Sequence, residues 1–316
     1  LKLHLDDHID HMNLPIRRLT ALFAFTLLTS YAQAAEPIRV GSKIDTEGAL
    51  LGNVIELVLE ANGIKTVNRQ QLGTTKVVRG ALLAGGIDIY PEYTGNGAFF
   101  FADGSNPAWK NAGAGYQLVK KLDADKNHVI WLTPSPANNT WLIAIRKEIA
   151  QANQLKTMAD LGRWISQGGK IKLAASAEFI ERPDALPAFE GAYGFKLKQD
   201  QLLTLAGGDT AATIKAAAEQ TSGVNAAMVY GTDGAVAALG LATLDDVKAV
   251  QPVYAPAPVI RSDALAREPR IAALLQPVFS SLDSATLQKL NAGIAIEGRD
   301  ARKVAADYLR SKGFIR

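Results

Sequence analysis

The chain has 316 residues, a formal net charge of +3, 48% hydrophobic residues, four histidines and no cysteine. It is long enough for two lobes with cores of their own, and it excludes disulfide scaffolds, cysteine nucleophiles and His–Cys metal centres. Charge near balance, with no basic stripe interleaved with aromatics, also argues against nucleic acid as a partner.

The first element in chain order is a targeting segment. Met12 is followed by Arg17 and Arg18, the apolar run Leu19–Leu28 and then Ala32-Gln33-Ala34. A basic start, a short apolar stretch and a small-x-small site read as a signal peptide cut after Ala34 or one residue later. The run is too short to span a bilayer with these flanks; an uncleaved anchor is the alternative. No cysteine follows it, which excludes a lipoprotein anchor. Residues 1–11 precede a good start methionine and read as an upstream extension without function. Removal of the leader takes His4, His8 and His11 away and leaves His128 alone. A multi-histidine metal site is thereby excluded, and only His128 could complete a Ser-His-Asp triad; it lies by a charged, turn-like stretch and reads as a surface histidine.

Strand and helix signals then alternate. Ile38–Val40 reads as a strand stopped by Gly41-Ser42-Lys43. A helix with a broad apolar face (Leu50, Leu51, Val54, Ile55, Val58, Leu59) ends at Gly63. Lys76–Leu83 is a helix and Ile87–Tyr90 a strand. Trp141–Ile145 is a strand, Thr157–Ile165 a helix and Ile171–Ala174 a strand. Arg182–Tyr193 is a helix whose regular part starts at Pro187. Leu202–Leu205 and Asn225–Tyr230 are strands around a helix over Ala211–Gln220, and from Glu268 onward the chain is helical. This alternation predicts an α/β fold with largely parallel sheets. In such sheets, ligands sit beyond the carboxyl ends of strands.

The most telling stretch is Ile87-Asp-Ile-Tyr-Pro-Glu-Tyr-Thr-Gly-Asn-Gly97, an apolar strand that runs into an aromatic, glycine-bearing loop. Single aromatics recur at other strand ends: Trp141 after Asn138-Asn139-Thr140, Tyr230 before Gly231-Thr232-Asp233, and Tyr254 between Pro252 and Pro256. Aromatics on separated segments can converge, and a set of π-faces suits a cation without N–H groups, such as a quaternary ammonium. Tyr90 alternates with Ile87 and Ile89 and reads as packing, as do Trp109, Trp131 and Trp164. Glu92 reads as a carboxylate supporting the site or a hinge. Asn138-Asn139-Thr140 matches a glycosylation sequon but reads as structural, and Ala112-Gly-Ala-Gly-Tyr116 lacks the strand-turn-helix setting of a nucleotide loop.

Five motifs occur in the order of one family: Gly41-Ser42-Lys43; Tyr90-Pro-Glu-Tyr-Thr-Gly95; Ala175-Ser-Ala-Glu-Phe179 with Arg182; Tyr230-Gly-Thr-Asp233; and Ala255-Pro-Ala-Pro-Val259 with Arg261. Over residues 37–316 the chain resembles the periplasmic substrate-binding proteins of osmoprotectant ABC importers of the glycine betaine/choline class, in their osmotically inducible branch. The resemblance implies the two-lobed fold of type II periplasmic binding proteins, with a ligand cleft between lobes. Lobe one is expected over 37–139 plus 254–316 and lobe two over 140–253, with crossings near Asn139 and Tyr254. It also implies an aromatic box of Tyr93, Trp141, Tyr230 and Tyr254 around a trimethylammonium group, with Lys43 and Arg182 on the carboxylate. The chain departs from the family pattern in having Trp141 where tyrosine is usual and Asn96 where threonine is usual; Asn96 is expected to donate to the ligand through its amide. The implied partners are a betaine-type ligand and ABC permease subunits, with no cofactor, no metal and no nucleic acid, for a monomer working in the periplasm. Choline, carnitine, proline betaine and ectoine are the alternative ligands; choline lacks the carboxylate that Lys43 and Arg182 would hold. An exported enzyme on this fold would need an acid/base pair, and nothing marks one.

Overall fold

The computed structural model describes residues 36–316, so the leader, its cleavage site and residues 1–11 lie outside the described residues. The first part runs β1 (Ile38–Lys43), α1 (Thr46–Ala61), β2 (Thr66–Gly73), α2 (Thr75–Leu83), β3 (Ile89–Tyr93), α3 (Asn96–Phe100), α4 (Ala112–Asn127) and β4 (Val129–Trp131). The chain then crosses to a second sheet through β5 (Trp141–Arg146), α5 (Lys147–Ala152), α6 (Met158–Ser166), β6 (Leu173–Ser176), α7 (Ala177–Glu181), α8 (Leu186–Tyr193), β7 (Leu202–Leu205), α9 (Thr210–Ala218), β8 (Ala226–Tyr230), α10 (Ala235–Ala238) and β9 (Leu241–Thr243). It returns in β10 (Pro256–Arg261) and closes with α11 (Ser262–Arg267), α12 (Arg270–Ser280), α13 (Ser284–Ala295) and α14 (Ala301–Ser311).

Two five-stranded sheets result among the described residues, ordered β2-β1-β3-β10-β4 and β7-β6-β8-β5-β9. They share one plan. Three strands are parallel (β1 with β2 and β3; β6 with β7 and β8), and the next is antiparallel to both its neighbours (β10 to β3 and β4; β5 to β8 and β9). The expectation of largely parallel sheets is thus corrected to mixed ones. The reason is topological. A parallel neighbour needs a crossover within one sheet, whereas β5 and β10 each arrive from the other sheet and can enter head-on.

Side chains alternate across each sheet with period two. In β10, Val259 joins the cluster containing Trp109 and Trp131, while Ile260 joins the cluster of α1 and α12 to α14. In β5, Ile143 and Ile145 face one core and Leu142 and Ala144 the other. Both faces of each sheet are therefore covered. None of the described helices is long and apolar enough to cross a membrane.

Several elements escaped the sequence signals for identifiable reasons. β2 is an edge strand with exposed polar side chains and no apolar alternation. α4 opens on Ala-Gly-Ala-Gly, poor helix formers at two positions, yet the Asn111 side chain caps Ala114 N–H at 2.9 Å. It ends at His128, which is exposed as expected and left-handed at φ 55°. β10 carries Pro256 and Pro258, which argue against a central strand. Their carbonyls accept from Ser135 and Leu132 N–H at 2.7 and 2.9 Å. Their missing N–H groups therefore face that irregular segment rather than β3. The expected helix over Arg182–Tyr193 is interrupted: Arg182 precedes Pro183, is extended at ψ 128°, and the helix resumes at Leu186.

The two crossings run side by side. Asn139 N–H donates to Tyr254 O at 2.9 Å, and Tyr254 N–H donates to the Asn138 side chain at 2.8 Å.

Candidate functional site

The mixed sheets explain how distant aromatics meet. Lys43, Tyr93 and Tyr230 are the last residues of β1, β3 and β8. Trp141 is the first residue of β5, but β5 is antiparallel, so it lies opposite Tyr230. Tyr254 likewise lies just before β10, whose first residue Pro256 pairs with Tyr93. Antiparallel strands begin where parallel ones end, so strand starts and strand ends share one rim.

Lys43, Tyr93, Asn96, Trp141, Tyr230 and Tyr254 border a single cavity of about 30 Å³, together with Asp45, Asn139 and Glu178. Such a space holds about one or two waters. The Trp141 and Tyr230 rings are near-parallel, 23° apart, with centroids at 6.5 Å; Tyr254 tilts over Trp141 at 5.7 Å. Phe179 meets Trp141 edge-on at 5.6 Å and ties the set to the core of the second sheet. Gly95 permits the Tyr254 position: a Cβ there would lie 2.8 Å from Tyr254 Cδ1.

The charged residues are arranged differently from expectation. Glu92, fully buried, is a hub: its Oε1 accepts from Lys43 Nζ at 2.6 Å, Tyr93 N–H at 2.7 Å and Asn96 Nδ2 at 2.8 Å, and its Oε2 accepts from Tyr90 Oη at 2.8 Å. Lys43 is thus paired, and its ammonium also covers the Tyr93 ring at 4.6 Å. The Asn96 amide donates to Glu92 rather than into the cavity, and its oxygen accepts from Arg182 Nη1 at 3.0 Å. Arg182 stands apart from the other expected site residues. It is not among the cavity-lining residues. Asp184 holds it at 2.6 Å and Glu178 at 3.0 Å, and its guanidinium stacks 4.6 Å from the Trp141 ring and 4.1 Å from Phe99. Burial works against its charge, yet these carboxylates raise its pKa further. The extended break before Pro183 turns it behind the box instead of into it.

The sequence reading missed an acidic floor. Asp45 caps α1 through Gly48 N–H at 2.7 Å. Glu47, also buried, accepts from Tyr93 Oη and Asn139 Nδ2 at 3.0 Å each and from Asn291 Nδ2 at 2.7 Å. Asn139 donates onward to Thr232 at 2.6 Å, which links the two sheets. Burial raises the pKa of Asp45 and Glu47 against the hydrogen bonds they accept, and burial pushes Asp233 up to about 7. The available signal was the Asp45-Thr-Glu47 helix start, an N-cap pattern that sequence assigns to the helix alone. Tyr90, Trp109 and Trp131 are packed in the core as expected, and Trp164 packs against it.

A family model for the substrate binding domain of ABC-type glycine betaine transport systems matches residues 36–311. The chain belongs to this family. It is 69% identical over 284 residues to the glycine betaine-binding protein YehZ of Escherichia coli, covering 90% of this chain and 93% of that protein. It is 32% identical over 305 residues to a glycine-betaine-binding protein of Pseudomonas aeruginosa, covering 95% of each. The apo structure of E. coli YehZ matches with a TM-score of 0.66 over 89% of this chain and 100% of that one. Lactococcal OpuAC, closed on glycine betaine, matches at 12% identity with a TM-score of 0.59 over 89% of this chain and 100% of that one, a likeness of fold alone. The fold is that of the two-lobed periplasmic binding proteins, and the family comprises substrate-binding components of transport systems rather than enzymes.

Proposed function

We propose that this chain is an exported solute-binding protein that captures glycine betaine, or a related quaternary-ammonium zwitterion, and delivers it to the permease of an ABC importer. The observation that carries this reading is the convergence of Tyr93, Trp141, Tyr230 and Tyr254 from two sheets on one cavity, in a chain of this family. A trimethylammonium head offers no N–H, so ring faces are the partners suited to it, each contributing about 0.5–2 kcal/mol. The lobes are residues 37–139 plus 254–316 and residues 140–253, and the paired crossings are the hinge. The cavity is lined from both lobes, so a ligand in it touches each, and those contacts favour closure of the lobes around it. The leader supports the periplasm as the place of work, and capture and delivery need only a monomer. The names of the E. coli and P. aeruginosa relatives support betaine as the ligand.

Choline is the second reading, favoured by Asp45 and Glu178 on the lining and by the pairing of both Lys43 and Arg182. Calorimetric titration of the chain from Ala35, up to millimolar glycine betaine, choline and proline, separates the two. Saturable heat with betaine in preference to choline is expected. Preference for choline overturns the zwitterion, and no binding of any of the three overturns the reading.

A further inference from the structure

The loop Tyr230-Gly-Thr-Asp-Gly234 joins β8 to α10 in lobe two, and its tip is buried against lobe one. Thr232 is fully buried. Its hydroxyl oxygen accepts from Asn139 Nδ2 at 2.6 Å, and its carbonyl accepts from Asn291 Nδ2 at 3.1 Å. Each of these amides also donates to Glu47 on α1, at 3.0 and 2.7 Å, so one carboxylate turns both toward the threonine. The Gly231 carbonyl accepts from Gln288 Nε2 on α13 at 2.9 Å, and Thr46 of α1 donates to Asp209 before α9 at 3.0 Å. Lobe two stiffens the loop from its own side, where Asp233 accepts from Tyr230 N–H at 2.7 Å and from Thr210 at 2.9 Å. Gly231 and Gly234 make the approach possible, since a Cβ at either would collide with a backbone oxygen, of Asn138 in one case and of Gln288 in the other.

Of Thr232, Gly231, Asn139, Asn291, Gln288 and Glu47, only Asn139 borders the cavity, so these bonds form between protein groups alone. Glu47 and Asn291 lie off the crossings, on α1 and α13, so rotation of lobe two about the crossings pulls Thr232 and Gly231 away from them. We infer that Thr232 and its socket of Asn139, Glu47 and Asn291 form a clasp between the lobes, which favours closure and sets ligand affinity without touching the ligand. This rests on the lobe division and hinge given above. A bond made only in the closed state raises the population of that state, and the affinity for any ligand that needs it rises in proportion. The socket is also tied to the box, because Glu47 accepts from Tyr93 Oη at 3.0 Å and Tyr230 opens the loop that carries Thr232. Closing the clasp therefore brings Tyr93 and Tyr230 into place together. The clasp is built to reopen as well. Asn291 Oδ1 is buried without a hydrogen-bond partner among the described residues, because its amide is turned to donate to Glu47 and Thr232. Parting the lobes lets water reach that oxygen and removes the cost.

The test uses Thr232→Val, which keeps the shape and removes the hydroxyl, Thr232→Ser, which restores it, and Asn291→Ala, which removes the other arm. The betaine Kd, measured by calorimetry, should rise about five- to thirtyfold in Thr232→Val and in Asn291→Ala, the range for a buried group that loses its hydrogen bond, and stay within about twofold of wild type in Thr232→Ser. Small-angle scattering of the ligand-free chain should give a larger radius of gyration in Thr232→Val than in wild type or Thr232→Ser. A Kd unchanged in Thr232→Val, an equal loss in Thr232→Ser, or equal ligand-free radii overturns the clasp; a lowered melting temperature with Kd and radius unchanged marks the loop as a fixed pivot instead. If Asn291→Ala does not fold, the two Thr232 variants decide. Absence of wild-type betaine binding overturns the functional reading, and the ligand-free radii then decide the clasp by themselves.

Discussion

Arg182 shows how one side chain's chemistry depends on its neighbours. Its motif implies a place on the ligand's carboxylate; in the structure Arg182 is extended before Pro183, and Asp184 and Glu178 pair with its guanidinium. Its guanidinium stacks against Trp141 and Phe99, which makes it a brace for the box. Arg182→Ala should weaken betaine and choline alike, by about tenfold each, since both depend on the braced ring. Parallel titrations decide this: a loss confined to betaine restores Arg182 as a direct carboxylate partner. Glu92 illustrates the opposite case, since its reading as a supporting carboxylate holds. With every bond it makes going to protein groups, Glu92 fixes Lys43, Tyr93 and Asn96 relative to one another.

Among the elements, the strands that enter each sheet antiparallel bring the box together. β5 and β10 turn the starts of two chain segments onto the rim formed by the ends of β1, β3 and β8. The turn between β3 and α3 is a second determinant. Gly95 has ordinary helical φ of −62°, so glycine is needed there for room alone, with Tyr254 Cδ1 at 2.8 Å and Pro252 Cβ at 3.0 Å from a built Cβ. Gly95→Ala should cost about 1–3 kcal/mol of stability by overpacking and, by displacing the Tyr254 ring, weaken betaine binding as well. Denaturant unfolding and titration check both. Unchanged binding with lowered stability would show that the ring re-seats without harm to the site.

At the scale of the whole molecule, contacts between the two sheets' elements bear on closure. Gly234, at the start of α10, lies against α13: a Cβ there would sit 2.0 Å from the Gln288 carbonyl oxygen. Backbone cannot yield as a side-chain tip can, so Gly234→Ala should act as a wedge that holds the lobes apart. Small-angle scattering should show a larger radius of gyration with saturating betaine, and affinity should fall about tenfold or more; wild-type compaction would refute the wedge. Closure also crowds acids, since Asp233 stands near Glu47 and Asp45 of the first part of the chain. Burial raises its pKa from 3.8 to about 7, so the folded state keeps a proton that the unfolded state releases. Stability from this group is therefore full below the unfolded value and is lost as pH rises to about 7. Asp45 and Glu47 shift in the same direction. Melting temperature should decline between about pH 5 and 7.5, and less so in Asp233→Asn. A flat or rising profile counts against a protonated floor.

The amino-acid sequence by itself determined the class, the alternation of most strands and helices, the absence of cysteine chemistry, and the aromatics that meet. These are local: they follow from periodicity, from caps and breakers, and from motifs read in order. What only the tertiary structure decided is which groups are free. Pairing of Lys43 with Glu92, of Asn96 with Glu92 and Arg182, and of Arg182 with Asp184 depends on residues up to 86 positions apart. Strand direction and the acidic floor are likewise products of the packing. A side chain's type sets what it can bind, but a buried partner from another segment settles whether it is still available to bind it.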